Sequence, residues 1–149
     1  MVKRTSMADA DCPVARALDV IGDWWSLLIV RDAFDGIRRF GDFQKNLGVS
    51  KGILASRLRD LVELGILATA PVSDDSAYQE YVLTEKGDDL FPVVVGLRQW
   101  GEAHCFGSTE RHSVLVDNAN GRPVAPLEVK SRSGRQLRSV DTSVRKVKR

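Results

Sequence analysis

The residues with the most evident chemistry lie between Lys51 and Arg57. In KGILASRLRDL the apolar positions Leu54, Leu58 and Leu61 recur at helical spacing and define one buried stripe, extended a turn later by Leu64. The opposite face then carries Lys51, Gly52, Ile53, Ser56, Arg57 and Asp60, so its N-terminal half is cationic and small. A guanidinium such as that of Arg57 can bridge two acceptors on guanine, and Lys51 can meet phosphate or a base edge. Gly52 would permit close approach. Ser50 is of the type that caps a helix start by accepting a backbone N–H bond. The plainer alternative is a solvated helix face with ordinary charges. A second cationic pair, Arg38-Arg39, suits phosphate contact, or pairing with Asp35 or Asp42.

A different chemistry is open to Cys12. Pro13 reads as the first residue of a helix, which puts Cys12 at its cap, where the positive end of the helix favours thiolate. Arg16, one turn on, adds to this; Asp9 and Asp11 oppose it. An activated thiol of this kind is what a redox or electrophile sensor needs, and a capping cysteine without chemistry is the alternative. Cys105 falls on the last helix and reads as buried packing. Trp24, Trp25 and Trp100 read as core residues in preference to a ligand pocket. His104 reads as an interface or core residue. Neither histidine has metal-ligand partners at short spacing, and no nucleophile elbow, Walker loop, dinucleotide fingerprint or HExxH run is present, so no catalytic group, metal or cofactor is expected.

The elements that must position these residues follow from periodicity and punctuation. Residues 1–11 are polar and read as a flexible N-terminus. Val14, Ala17, Leu18 and Ile21 form a first helix, broken by Gly22-Asp23. Trp24 to Phe34 is apolar around most of its circumference and reads as a central, buried helix ended by Asp35-Gly36. Phe40, Phe43 and Leu47 share a third helix face, begun at Arg38-Arg39 or after a short strand there, and Gly48 makes the tight turn to the fourth helix. Gly65 is a natural C-cap. Ile66–Ala70 and Tyr78–Leu83 read as paired strands around the turn Ser73-Asp74-Asp75-Ser76. Thr84, with Gly87 nearby, opens a last long helix that Pro92 kinks or restarts. Val93, Leu97, Trp100 and His104 lie along one face of it; Val93, Leu97 and Trp100 form an apolar stripe that one small domain cannot bury alone, which implies a two-fold dimer.

The predicted fold is therefore α+β: a winged helix-turn-helix, a long C-terminal dimerisation helix and a small β-hairpin appendage. The second helix of such a unit is built to lie in a DNA major groove. In the appendage Ser113–Asp117 is a β-like run, Asn118-Ala119-Asn120-Gly121 a turn, and Val124–Lys130 a segment that pairs back, with a further turn at Ser133-Gly134-Arg135. The expected division is 1–11, 12–106 for DNA binding and dimerisation, and 107–149 for the appendage with a basic tail.

Charge is unevenly spread. Residues 127–149 hold eight Lys/Arg and two acids, which makes this end +6 while residues 1–126 are −4. Such asymmetry suits a tail on nucleic acid, or a solvated end. No apolar run approaches the roughly 18 residues of a membrane helix, and the N-terminus lacks the apolar core of a signal peptide, so a cytoplasmic protein without membrane contact is expected.

Taken together, several runs resemble one family. Cys12 to Arg16, Leu18 to Gly22, Trp25 to Ile29 with Arg31, then Arg38-Arg39-Phe40, Ser50 to Leu61, Gly65-Ile66-Leu67 and Glu80 to Thr84 with Gly87 resemble the HxlR-type regulators, bacterial winged helix-turn-helix proteins related to the MarR group. The resemblance covers about residues 12–106. It implies a homodimer, with Val14, Leu18, Val93, Leu97 and Trp100 of the first and last helices at its interface, that binds double-stranded operator DNA and controls nearby genes, mostly as a repressor. It implies DNA contacts from Arg38, Arg39, Ser50, Lys51, Gly52, Ser56 and Arg57, a thiol switch at Cys12, and a small-molecule or electrophile inducer as a further partner class. Two departures stand out. The wing tip is acidic, Asp74-Asp75, with Ala77-Tyr78-Gln79 where family wings often carry a basic residue, which favours the rival reading of a winged helix used for protein–protein contact. The stretch from His112 lies outside the family pattern.

Overall fold

A computed structural model describes residues 5–73 and 78–148. The wing tip Asp74-Asp75, with Ser76 and Ala77, lies outside the described residues, as do residues 1–4 and Arg149. The elements run α1 (Pro13–Ile21), α2 (Trp24–Phe34), α3 (Phe40–Leu47), α4 (Lys51–Glu63), β1 (Leu67–Pro71), β2 (Gln79–Leu83), α5 (Glu85–Asp88), α6 (Phe91–His104) and a 3-10 turn at Ser139–Asp141. This is the winged helix expected from the sequence. Among the described residues no helix is long and apolar enough to cross a membrane, and no group of three or more His, Cys, Asp or Glu could hold a metal.

The helix starts are set by side chains. Asp23 caps α2 by accepting from the amides of Trp25 and Ser26. Ser50 caps α4 by accepting from Ile53 N–H, and Thr84 caps α5 by accepting from Gly87 N–H. Gly48 ends α3 in the left-handed region at φ 64°, with its amide on Gln44 O; that conformation turns the chain within two residues from α3 to the α4 cap. Arg39 precedes α3 as its cap residue, so the third helix starts at Phe40. No strand forms before it, although Arg38 O accepts one bond from Tyr81 N in β2.

The chain divides into two compact units, residues 1–94 and 95–149, with the division inside α6. The first has a closed core of Ile21, Ile29, Val30, Phe43, Val49, Leu54, Leu58, Leu61, Ile66 and Leu67, built by α2, α3 and α4 against the β1–β2 hairpin. The hairpin is antiparallel, with Leu67 opposite Leu83 and Pro71 opposite Gln79. Gly87 is a position that only glycine fits: a Cβ there would stand 2.1 Å from Ile66 O.

α2 differs from the expectation of a central, buried helix that is apolar around most of its circumference. Its buried residues include Ser26 and Asp32, while Trp24 is 70% exposed and only edges against Trp25, so Trp24 is not core. The fully buried Asp32 has both oxygens occupied: Oδ1 accepts from Arg31 Nε and Nη2 at 3.0 and 2.8 Å, and Oδ2 accepts from Asn46 Nδ2 at 2.9 Å. A buried carboxylate persists only when its charge and lone pairs are met in this way, and the Asn46 bond ties α3 to α2.

Among its described residues the second unit has one buried apolar residue, Val95. Trp100 is 63% exposed and stacks on His104 at 5.1 Å, so it too lies outside the core; Cys105, expected as buried packing, is exposed. The appendage forms two tight turns, each closed by a single β-bridge, Val116 to Pro123 and Lys130 to Gln136. The first matches the expected turn, and Val124 pairs back as expected with its amide on Leu115 O, but Val129 and Lys130 pair with Gln136 and Leu137 instead of returning to 113–117. Gln99 on α6 fixes the intervening segment, donating to Ala125 O and accepting from Leu127 N–H.

Candidate nucleic-acid interface

The α4 helix shows which of its residues can reach a groove. Leu54, Leu58 and Leu61 are fully buried, as their spacing required. Lys51, Gly52, Ile53, Ala55 and Arg59 are exposed, and Ser56 is half-buried. No acidic residue occupies the first turn, so the positive end of the helix is unopposed there. Arg59 stands four residues after Ala55 and seven after Gly52, on the outward side, and makes no ion pair among the described residues. Sequence reading passed over it. Measuring 100° per residue from the Leu54–Leu58–Leu61 stripe would have found it, because Gly52, Ser56 and Arg59 lie on the side turned away from that stripe, a side that ends in the exposed acid Glu63.

Arg57 is placed otherwise than on the outward face. Its angle puts it on the flank of the buried stripe, where Nε lies 2.8 Å from Asp23 Oδ2 and Nη1 3.8 Å from Asp60 Oδ2; its side chain is 37% exposed. Asp23 is also the α2 cap, so Arg57 fastens the recognition-type helix to the head of α2. The 2.8 Å approach is a charge contact whose angle leaves the Nε hydrogen poorly aligned.

Arg38 and Arg39 are exposed and share one carboxylate, each 3.8 Å from Glu80 on β2, and not Asp35 or Asp42. One acid for two guanidiniums leaves a net positive charge beside the start of α3. Such long, exposed pairs are worth little and yield easily to a stronger acceptor such as phosphate. In the second unit, Lys130 pairs with Glu128 and Arg138 with Asp141, while Arg132, Arg135, Arg145, Lys146 and Lys148 have no ion pair among the described residues.

Cys12 is exposed at the cap position of α1, with no side-chain cap bond. The guanidinium of Arg16 is directed to Ala10 O, and Met7 N–H donates to Asp19 at 2.9 Å, so the described part of the N-terminal stretch is bonded to α1. Val14, Leu18, Val93, Leu97 and Trp100 are all exposed.

Comparison with known proteins agrees with this geometry. The HxlR-like helix-turn-helix family model matches residues 20–108. An HTH-type transcriptional regulator of Mycobacterium tuberculosis, itself uncharacterized, is 52% identical over 91 residues, covering 61% of this chain and 58% of that protein. The match thus spans less than two thirds of that relative's length. Among solved structures, PA1607, assigned as a transcription factor, aligns over 96% of this chain and all of its own, at TM-score 0.91 and 52% identity. The redox regulator HypR in its reduced form aligns over 63% of this chain and 94% of its own, at TM-score 0.58 and 33% identity.

Proposed function

The chain belongs to the HxlR-like helix-turn-helix family of transcriptional regulators, and from that premise we propose that it is a homodimeric, sequence-specific repressor that lays α4 in the major groove of its operator. The observation that carries this is the outward face of α4: Lys51, Gly52 and Arg59 exposed, Ser56 beside them, and Ser50 closing the helix start. In this reading Arg59 meets base edges, Lys51 meets base or phosphate, and Gly52 and Ser56 allow close approach. Arg38 and Arg39 exchange Glu80 for backbone phosphate, and Arg57 positions α4 without touching DNA. Residues 12–106 act as the DNA-binding and dimerisation part, with 107–149 as an appendage whose free cations add phosphate contacts. The protein works in the cytoplasm.

Dimerisation is supported by the exposed apolar residues Val14 and Leu18 on α1 and Val93, Leu97 and Trp100 on α6. A thiol response is a second reading, favoured by the exposure of Cys12 at the head of α1 and by the likeness to HypR. Operator affinity before and after diamide, in wild type and Cys12→Ser, decides it: a loss confined to wild type supports the switch, and equal responses remove it.

The test of the main reading is titration of duplex DNA from upstream of the protein's own gene across a salt series. A DNA-binding regulator shows saturable binding whose log affinity falls steeply with log salt. No binding, or binding indifferent to salt, would favour the rival role of a protein-interaction module.

A further inference from the structure

A cavity of about 280 Å³ opens between α1, the head of β1 and α5, lined by Arg16, Ala17, Val20, Ile21, Ile66, Lys86 and Leu90. Its walls are aliphatic, and Ile21 and Ile66 belong to the core. The two polar residues at its edge are both cations, with no acid in the lining. Neither Arg16 nor Lys86 pairs with a carboxylate among the described residues. Each is held by one backbone carbonyl, Arg16 through Nε to Ala10 O and Lys86 through Nζ to Leu64 O at 2.7 Å. That leaves donors on both groups, since an ammonium has three and a guanidinium five.

We propose that this cavity binds a small amphipathic monoanion, an apolar body with a single carboxylate, whose charge is taken by Arg16 and Lys86. Apolar walls reward a hydrocarbon body, and their low polarity strengthens the ion pairs at the edge. A neutral apolar molecule would leave both cations unmet. A dianion would bring a second charge against aliphatic walls. The volume sits near the lower end of the roughly 300–1,000 Å³ typical of small-molecule pockets, which fits a fragment-sized ligand.

The site also has a route to the recognition helix. Leu64 is the C-cap of α4, so the Lys86 ammonium stands at the negative end of that helix. Thr84 Oγ1 donates to Gly65 O and Ile66 O next to it. A carboxylate that draws Lys86 from Leu64 O removes a cation from that end and frees one of its last carbonyls. Occupancy therefore changes how the end of α4 is held. This regulatory half rests on the DNA-binding reading; the binding half does not.

The probe is 2-naphthoate, titrated by calorimetry into the full-length protein without DNA, with neutral 2-naphthamide alongside. Saturable binding of the anion is expected, weakened about tenfold in Arg16→Met, in Lys86→Met and for the amide, as for loss of one charge-assisted bond. Ala17→Phe, which fills the cavity, should abolish it. A flat wild-type isotherm, equal affinity for the amide, or affinity unchanged in both cation variants would overturn the site. So would sedimentation showing that Ala17→Phe separates a dimer that binds no probe, because the cavity would then seat a second copy of the chain. In a second arm, saturating probe should shift operator affinity of wild type but not of Lys86→Met; saturable binding with operator affinity unmoved overturns the link through Lys86. Saturable binding in a protein that binds no DNA would leave the site standing and remove the DNA-binding reading.

Discussion

Residues 5–94 and 95–148 put their apolar side chains to opposite uses. In the first, ten apolar residues close into one core around α2, α3, α4 and the hairpin. In the second, Val95 alone is buried, while Val114, Val116, Val124, Leu127, Val129, Val140, Val144 and Val147 are exposed. The backbone there is held by two short turns and by Gln99, and not by a hydrophobic interior. The contrast separates what makes the winged helix fold from what is left over for partners. An interior pattern at period 3.6 is self-sufficient; apolar residues on bridged turns gain little until something covers them. That PA1607 aligns over 96% of this chain shows that the second unit is a shared structure and not an incidental end.

The contrast can be broken or sharpened by substitution, read as denaturant unfolding free energy. Leu58→Ala removes a fully buried side chain from α4, and about 2–5 kcal/mol should be lost. Asp32→Ala should cost about 1–3 kcal/mol, because it removes the fully buried carboxylate that joins α2 to α3, while its partners Arg31, 35% exposed, and the exposed Asn46 can turn to water. A loss under about 1 kcal/mol would mean the junction holds without its charge. Arg57→Ala should cost about 1 kcal/mol, since its partner Asp23 is partly solvated, and should leave DNA base preference unchanged. Relaxed base preference in that variant would return Arg57 to the groove. Leu127→Ala in the second unit should change stability by less than about 0.5 kcal/mol; a loss as large as that of Leu58→Ala would erase the difference between the two regions.

How much of this was legible in the sequence follows from what each signal depends on. The helices, the Gly48 turn, the Ser50 and Thr84 caps and the restart at Pro92 are local, and local spacing read them. The Leu54–Leu58–Leu61 stripe was legible for the same reason. Arg57 was not, because its fate is set by Asp23, 34 residues earlier in the chain, whose capping role emerges only once α2 and α4 touch. For Arg38 and Arg39 the alternative to phosphate was an acid close in sequence, yet the hairpin brings Glu80 to them. Trp24 and Trp100 were read as core from residue type alone, and type says nothing about which side of a helix faces out. The Asp32 network was hidden by composition: one acid in an apolar helix looks like a surface charge until Asn46 is seen to meet it.

The central claim is that the outward face of α4 reads DNA, and Arg59 tests it most directly. The measurement is operator affinity at one fixed salt concentration for wild type and Arg59→Ala, against the operator and its single-base-pair variants. Arg59 is exposed and free of ion pairs among the described residues, so its loss should leave the fold intact. Affinity is expected to fall by about 1–3 kcal/mol, with discrimination lost at one or two base pairs only. Equal affinity with an unchanged pattern of base preference would contradict the claim that α4 is the reading helix.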